Sequence, residues 1–332
     1  MLDSKAVNLS FLILLSSVPL SGQDVQLTGV LSGYHGVSSQ WVRYESPFAQ
    51  APSVELTWAH ARGWIPQVSV NSRENQLLVT VVPAGQGDAQ RAELWEYDIK
   101  TKEKKYWASG LEPRQAALFT SWGPLYVTKD LTHKKIYLGK HLLFRKKSEL
   151  WWPLKVQEDR VYVLSLTNKR MRLMQMSLPS GALKILQDWG SDPVRDFSFV
   201  GNTVSYQRQP SISEFVIERL NLVSQKVETI AKFTQPWLAP LSFEDKILFS
   251  LSSSASRGRL AIWSKGQIHE GPVLGLGAPI PLRANKNQLV IRRQSESGQD
   301  YFLWNSKTHR VQPINTQGKL LESVHFMGGS KP

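Results

Sequence analysis

Short runs of hydrophobic residues, some alternating with polar positions and some continuous, recur along the whole chain. No window of about 12 or more residues holds the i, i+3, i+4, i+7 apolar spacing of an amphipathic helix. The runs are rich in Val, Ile, Leu, Tyr, Phe and Trp, and turn residues break them at intervals of about 8–12 positions. An all-β protein is predicted.

The runs also come in a fixed order. Each unit opens on a loop proline and a short strand, passes a polar turn into its most apolar strand, and ends in a hairpin. The opening prolines are Pro66, Pro113, Pro153, Pro193, Pro240 and Pro281, spaced by 47, 40, 40, 47 and 41 residues. The apolar strands follow at 77–82, 161–166, 203–207, 247–251 and 289–293, with a shorter copy between 113 and 144. A period of about 40–47 residues with four strands per unit is the pattern of a propeller blade. A four-stranded twisted sheet cannot cover both of its faces alone, so such sheets stack radially, each burying the next.

Beyond these six units, one strand-like run remains at the C-terminal end, 320–327, and three at the N-terminal end, 25–31, 40–44 and 54–60. Pairing the two chain ends into one composite blade would tie down both and remove a free sheet edge. The expected architecture is therefore a β-propeller of seven four-stranded blades, the last built from both ends. The alternative is six blades with an N-terminal β extension.

The first unit carries a family likeness: Pro66 and Ser69 open it, 77–82 follows, and Glu93-Leu94-Trp95-Glu96-Tyr97-Asp98 precedes its hairpin turn. These features resemble the TolB-like family of β-propeller repeats, and the likeness runs over nearly the whole chain. The resemblance is one of fold, shared with WD40-like propellers, although no Trp-Asp dipeptide occurs; Asp188-Trp189 has the reverse order.

Composition changes the picture at three points. Residues 1–22 read as a secretory signal, with Lys5 near the start, an apolar run over 11–18, then Pro19, Ser21 and Gly22. Residues 23–332 are then a single propeller domain with no membrane span after cleavage. The absence of cysteine excludes disulfides, thiolate metal sites and a thiol nucleophile. It favours a periplasmic or secreted bacterial protein in which a large core replaces disulfide staples. With 12 Trp, 12 Phe and 9 Tyr among 332 residues, material for such a core is ample. The net charge of +13 is spread over loops, as at Lys102, Lys104 and Lys105, which reads as solvated charge rather than a nucleic-acid site.

Catalytic motifs are not found. There is no Gly-x-Ser-x-Gly elbow and no His-Glu-x-x-His spacing, and Gly275-Leu276-Gly277 leads into Ala278-Pro279 rather than a phosphate-binding helix. Glu112, Glu158, Asp192, Asp196, Glu244 and Asp245 lie near blade entrances and read as turn carboxylates. No cofactor or metal is expected.

One constellation stands out. The segments leading into the innermost strands carry Trp64, Trp151, Trp152 and Trp237, and the position two residues after the opening proline is Lys155, Arg195 and Arg283 in three units. Equivalent positions in a ring converge on one end of its channel. Aromatic faces and cations at one rim suit a peptide, a carboxylate-bearing ligand or an acidic sugar. The expected function is thus non-catalytic binding of a protein or peptide partner in the cell envelope, by a monomer, through one rim. The alternative is a glycan-binding or glycan-cleaving propeller; polyanion binding ranks below both.

Overall fold

The computed structural model describes residues 26–327 apart from 34–35, 86–91, 130–132, 148–149, 235–238, 255–256, 276, 286 and 296–297. The expected leader, residues 1–22, and Trp237 lie outside the described residues. The described residues form 28 strands, β1 to β28, and no helix.

Both chain ends meet in one sheet. There, β1 (Gln26–Ser32), β2 (Ser38–Tyr44) and β3 (Ser53–Ala59) extend outward from β28 (Leu320–Met327), in the order β28-β1-β2-β3. All pairs are antiparallel, with Leu31 opposite Leu321 and Thr28 opposite His325. Gly29 allows this close pairing, because a Cβ there would meet Leu321 Cδ1 at 2.7 Å.

Four further sheets are four-stranded meanders. They comprise β12 (Leu150–Gln157), β13 (Arg160–Thr167), β14 (Arg170–Ser177) and β15 (Leu183–Asp188), then β16 (Val194–Val200), β17 (Thr203–Ser211), β18 (Glu214–Asn221) and β19 (Val227–Phe233). The next is β20 (Leu241–Phe243), β21 (Lys246–Ser254), β22 (Arg257–Ser264) and β23 (Gln267–Glu270). The last is β24 (Ala278–Asn285), β25 (Gln288–Ser295), β26 (Gly298–Asn305) and β27 (Arg310–Ile314).

The remaining strands form one eight-stranded sheet. It contains β4 (Gln67–Val70), β5 (Gln76–Val81), β6 (Ala92–Asp98), β7 (Lys104–Leu111), β8 (Leu118–Thr120), β9 (Gly123–Lys129), β10 (His133–Leu138) and β11 (His141–Lys147). The expectation of seven separate four-stranded blades, or of six, is therefore corrected: five sheets have four strands and one has eight. The cause is the shortness of β8. It covers β9 only from Gly123 to Leu125, so the end of β7 reaches the uncovered edge, where Leu111 pairs with Thr128.

Most of the apolar core lies between sheets, and one cluster lies inside the eight-stranded sheet, between β4–β7 and β8–β11. In β13, Val161 and Val163 pack toward β9 and β10, whereas Tyr162 and Leu164 pack toward β17. In β5, Leu77, Val79 and Val81 face β1 and β2, while Leu78 faces Tyr126 of β9. Successive side chains of a strand point to opposite faces, so a strand buried on both sides must be apolar at every position. That requirement explains the continuous apolar runs in the sequence. Leu27, Tyr44 and Leu321 likewise pack against Val290 and Tyr301 of the neighbouring sheet, which closes the propeller.

Candidate functional site

The innermost strands β12, β16 and β24 share a local device. Each departs from regular pairing close to its opening proline: between Pro153 and Lys155, between Arg195 and Ser198, and between Pro281 and Arg283. Proline has no N–H for the ladder, and a bulge at that point re-aims the next side chain. Neighbours on either side are held in the inter-sheet core: Leu154 and Val156 flank Lys155, and Leu282 and Ala284 flank Arg283. Lys155 and Arg283 themselves reach solvent.

These two cations act on one another. The ammonium of Lys155 is held below its ordinary pKa, first by loss of solvent to surrounding protein and then by the Arg283 guanidinium. Arg283 is lowered in the same direction by desolvation. His325, on β28, completes the group: burial, then Arg283, then Lys155, pushes its pKa down to about 3, so its imidazole is neutral at pH 7. Its Nε2 is buried without a hydrogen-bond partner among the described residues. Arg283 and Lys155 thus both act on His325 from other sheets, and of these three residues sequence reading singled out the two cations.

Arg195 has different surroundings. Its Nε lies 3.6 Å from the carboxylate of Asp196, a residue with φ of 58° inside the bulge. Burial raises the Asp196 pKa, and Arg195 offsets that rise. Glu322 of β28 behaves similarly, raised by burial and opposed by Arg292, 3.8 Å away.

The tryptophans occupy separate places. Trp64 packs against the cluster around Leu78 and Tyr126, with the Arg114 guanidinium 5.6 Å from its ring centroid. Trp151 is 2% exposed, lies between β9–β11 and β13–β14, and meets the Phe144 ring edge-on at 4.7 Å. Trp152 packs on the opposite side, with Leu154 and Phe199.

One arrangement has the look of a nucleophile and base: Ser39 Oγ lies 2.8 Å from His60 Nε2, and His60 Nδ1 lies 2.9 Å from the carbonyl of Ala61. At 0% and 1% exposure, Ser39 and His60 are sealed from solvent, and the chain continues through Ser32. It ties β1, β2 and the segment after β3 together. Among the described residues, no group of three or more His, Cys, Asp or Glu is placed to hold a metal ion. No helix long and apolar enough to cross a membrane occurs among the described residues.

Comparison with solved structures places this geometry. TolB from Acinetobacter baumannii is similar over 91% of this chain and 66% of its own, with a TM-score of 0.53 and 11% identity. The resemblance is one of fold. Prolyl oligopeptidase B from Galerina marginata matches 90% of this chain and 51% of its own, with a TM-score of 0.64 and 9% identity. The β-propeller domain of the Trilobed protease from Pyrococcus furiosus matches 88% of this chain and 98% of its own, with a TM-score of 0.57 and 11% identity. The chain thus spans about half to two thirds of the first two proteins and nearly all of an isolated propeller domain. No family model matches the sequence, and no curated protein does.

Proposed function

We propose that the chain is a seven-bladed propeller that binds a protein or peptide partner, without catalysis, through the end of its channel bearing Lys155, Arg195 and Arg283. For the blade count, the support is the core: one apolar cluster lies between each pair of successive four-strand units, including the cluster between β4–β7 and β8–β11. The eight-stranded sheet then reads as two blades joined at one edge.

The reading is supported by two cations at equivalent positions of different sheets, Lys155 and Arg283, the second of which lowers the pKa of the first. A fold gains no stability by bringing like charges together, so the arrangement points to an anionic group supplied from outside. Trp151 and Trp152 of β12, packed on opposite faces of that strand, hold the segment that leads to Lys155. A propeller similar to this one occurs in prolyl oligopeptidase B, which is described as bound to a 35mer substrate, in keeping with a peptide occupant. We also place the protein in the bacterial envelope after removal of residues 1–22, acting as a monomer.

Selection of a random peptide library on the purified protein tests the role. Enrichment of peptides rich in Asp and Glu is expected, with binding lost in a Lys155→Gln, Arg283→Gln double variant. Failure to enrich any peptide on folded protein overturns it.

A further inference from the structure

Aromatic side chains are largely covered in this fold. Among the described residues, the exposed ones are Tyr106 and Trp122, at 48% and 41%, and both lie in the segment that builds the eight-stranded sheet. Tyr106 is on β7, and Trp122 is in the turn between β8 and β9. Leu142, on the edge strand β11, is 50% exposed.

These side chains border the seam between β7 and the β8–β11 half of that sheet. The Trp107 indole N–H donates to Glu96 Oε2 at 2.7 Å, and the Lys105 ammonium lies 3.9 Å from the Trp107 ring centroid. Two glycines let the neighbouring turns approach that ring. A Cβ on Gly123 would lie 3.8 Å from Trp107 Cη2 and 3.4 Å from Gly139 Cα, and a Cβ on Gly139 would lie 3.3 Å from the Trp122 carbonyl oxygen. Lys140 follows Gly139 in the exposed tip of the β10–β11 hairpin. Leu142 pairs with Tyr137, which packs on the same apolar cluster as Trp107, and the next cross-strand pair on that face is Arg145 with Lys135. On the other flank of β7, Lys104 lies 5.4 Å from the Trp95 ring centroid, and Tyr106 meets that ring edge-on at 5.1 Å.

We infer that this seam docks the propeller on a membrane surface rich in anionic lipid headgroups. Lys104, Lys105, Lys140 and Arg145 are all exposed, and they come from two strands and a turn. Several separate charges spread over an area match a plane of headgroups better than one ligand charge. Tryptophan and tyrosine seat at headgroup level, where one part of the ring system is apolar and the other wet. A lysine whose ammonium stands over an aromatic ring keeps its stem on apolar surface and its head in water. The net charge of +13 adds long-range attraction to the same surface. The inference is independent of the peptide-binding reading, because none of these residues lies on β12, β16 or β24.

Co-sedimentation of the full chain with vesicles tests the surface, using equal parts phosphatidylcholine and phosphatidylglycerol in one set and phosphatidylcholine alone in the other. Binding to the first set and not the second is expected, weakening as salt is raised. Lys105→Gln should weaken it about fivefold, and Lys105→Gln combined with Lys140→Gln about twenty-fivefold. Lys184→Gln combined with Lys226→Gln removes the same charge from exposed positions elsewhere and should change binding by about twofold or less. Brominated lipid in the mixed vesicles should quench part of the tryptophan fluorescence, and Trp122→Phe should remove most of that quenching. Circular dichroism checks the fold of each variant, and quenching in the parent needs no variant.

Equal weakening by the two double variants reduces the effect to net charge and overturns the site. Equal binding to both vesicle types overturns the anionic headgroup, and binding to neither overturns membrane docking. Unquenched fluorescence in the bound parent overturns the seating of Trp122. Capture by immobilised poly-glutamate that depends on Lys105 and Lys140, without vesicle binding, assigns the surface to an acidic protein and overturns the lipid.

Discussion

Closure of the propeller includes a hydrogen bond between the sheet of β26 and that of β28, and one pair of identical substitutions isolates it. Tyr301 of β26 and Tyr44 of β2 are both 1% exposed and belong to the same apolar cluster. The Tyr301 hydroxyl accepts the backbone N–H of Leu321 at 3.0 Å and donates to Gln299 Oε1 at 3.0 Å. The Tyr44 hydroxyl is buried with no hydrogen-bond partner among the described residues. Tyr301→Phe strands the buried N–H of Leu321, on the strand that closes the ring, at a cost of about 1–3 kcal/mol. Tyr44→Phe deletes an unsatisfied polar atom and should be neutral or slightly stabilising. With a urea m-value of about 3 kcal/mol per M for a chain of this size, Tyr301→Phe should lower the unfolding midpoint by about 0.3–1 M. Tryptophan fluorescence reports the transition, and amide exchange at Leu321 should accelerate only in Tyr301→Phe. Equal midpoints for the two variants would refute the role given to Tyr301.

Two further outcomes follow from packing and charge. Phe249→Ala empties a fully buried position on β21 that packs against β18 and should cost about 3–5 kcal/mol, measured by the same urea titration. His325 is neutral in the fold down to about pH 3 but protonates in the unfolded chain near its ordinary value of 6.5. The unfolded state therefore binds the extra proton between these limits, and stability falls as pH drops through that window, by at most about 1.4 kcal/mol per pH unit. His325→Gln should flatten that slope relative to the parent. Asp196 and Glu322 are raised by burial, contribute in the opposite sense, and cancel in the comparison.

Much of the architecture was legible because burial on two faces leaves its mark on every central strand. The run 161–166 is apolar for a physical reason, since Val161 and Tyr162 face different sheets. The joining of the chain ends was legible too, because one run at the C-terminal side and three at the N-terminal side make a four-stranded set. The merged sheet was not. It arises from the three-residue length of β8, and strand length at that scale is set by local geometry rather than by hydrophobic pattern.

The site was half legible. Lys155 and Arg283 share a position relative to their prolines, which the repeat exposes. His325 escaped notice because β28 opens without a proline and a lone histidine has no motif. Asp196 escaped as a partner of Arg195 because their pairing needs the bulge in β16. Adjacent Trp151 and Trp152 held a clue in plain view: consecutive residues of a strand face opposite ways, so both cannot line one opening.

The most direct test of the central claim is an NMR titration of the His325 imidazole in the parent protein and in the Lys155→Gln, Arg283→Gln double variant. If inner strands of separate sheets bring both cations to one place beside β28, the parent value lies near 3 and rises in the double variant. It should stay below 6.5 in the variant, because burial is the largest cause of the shift. A His325 that titrates in the ordinary range, or one indifferent to both substitutions, would contradict the convergence on which the binding site rests.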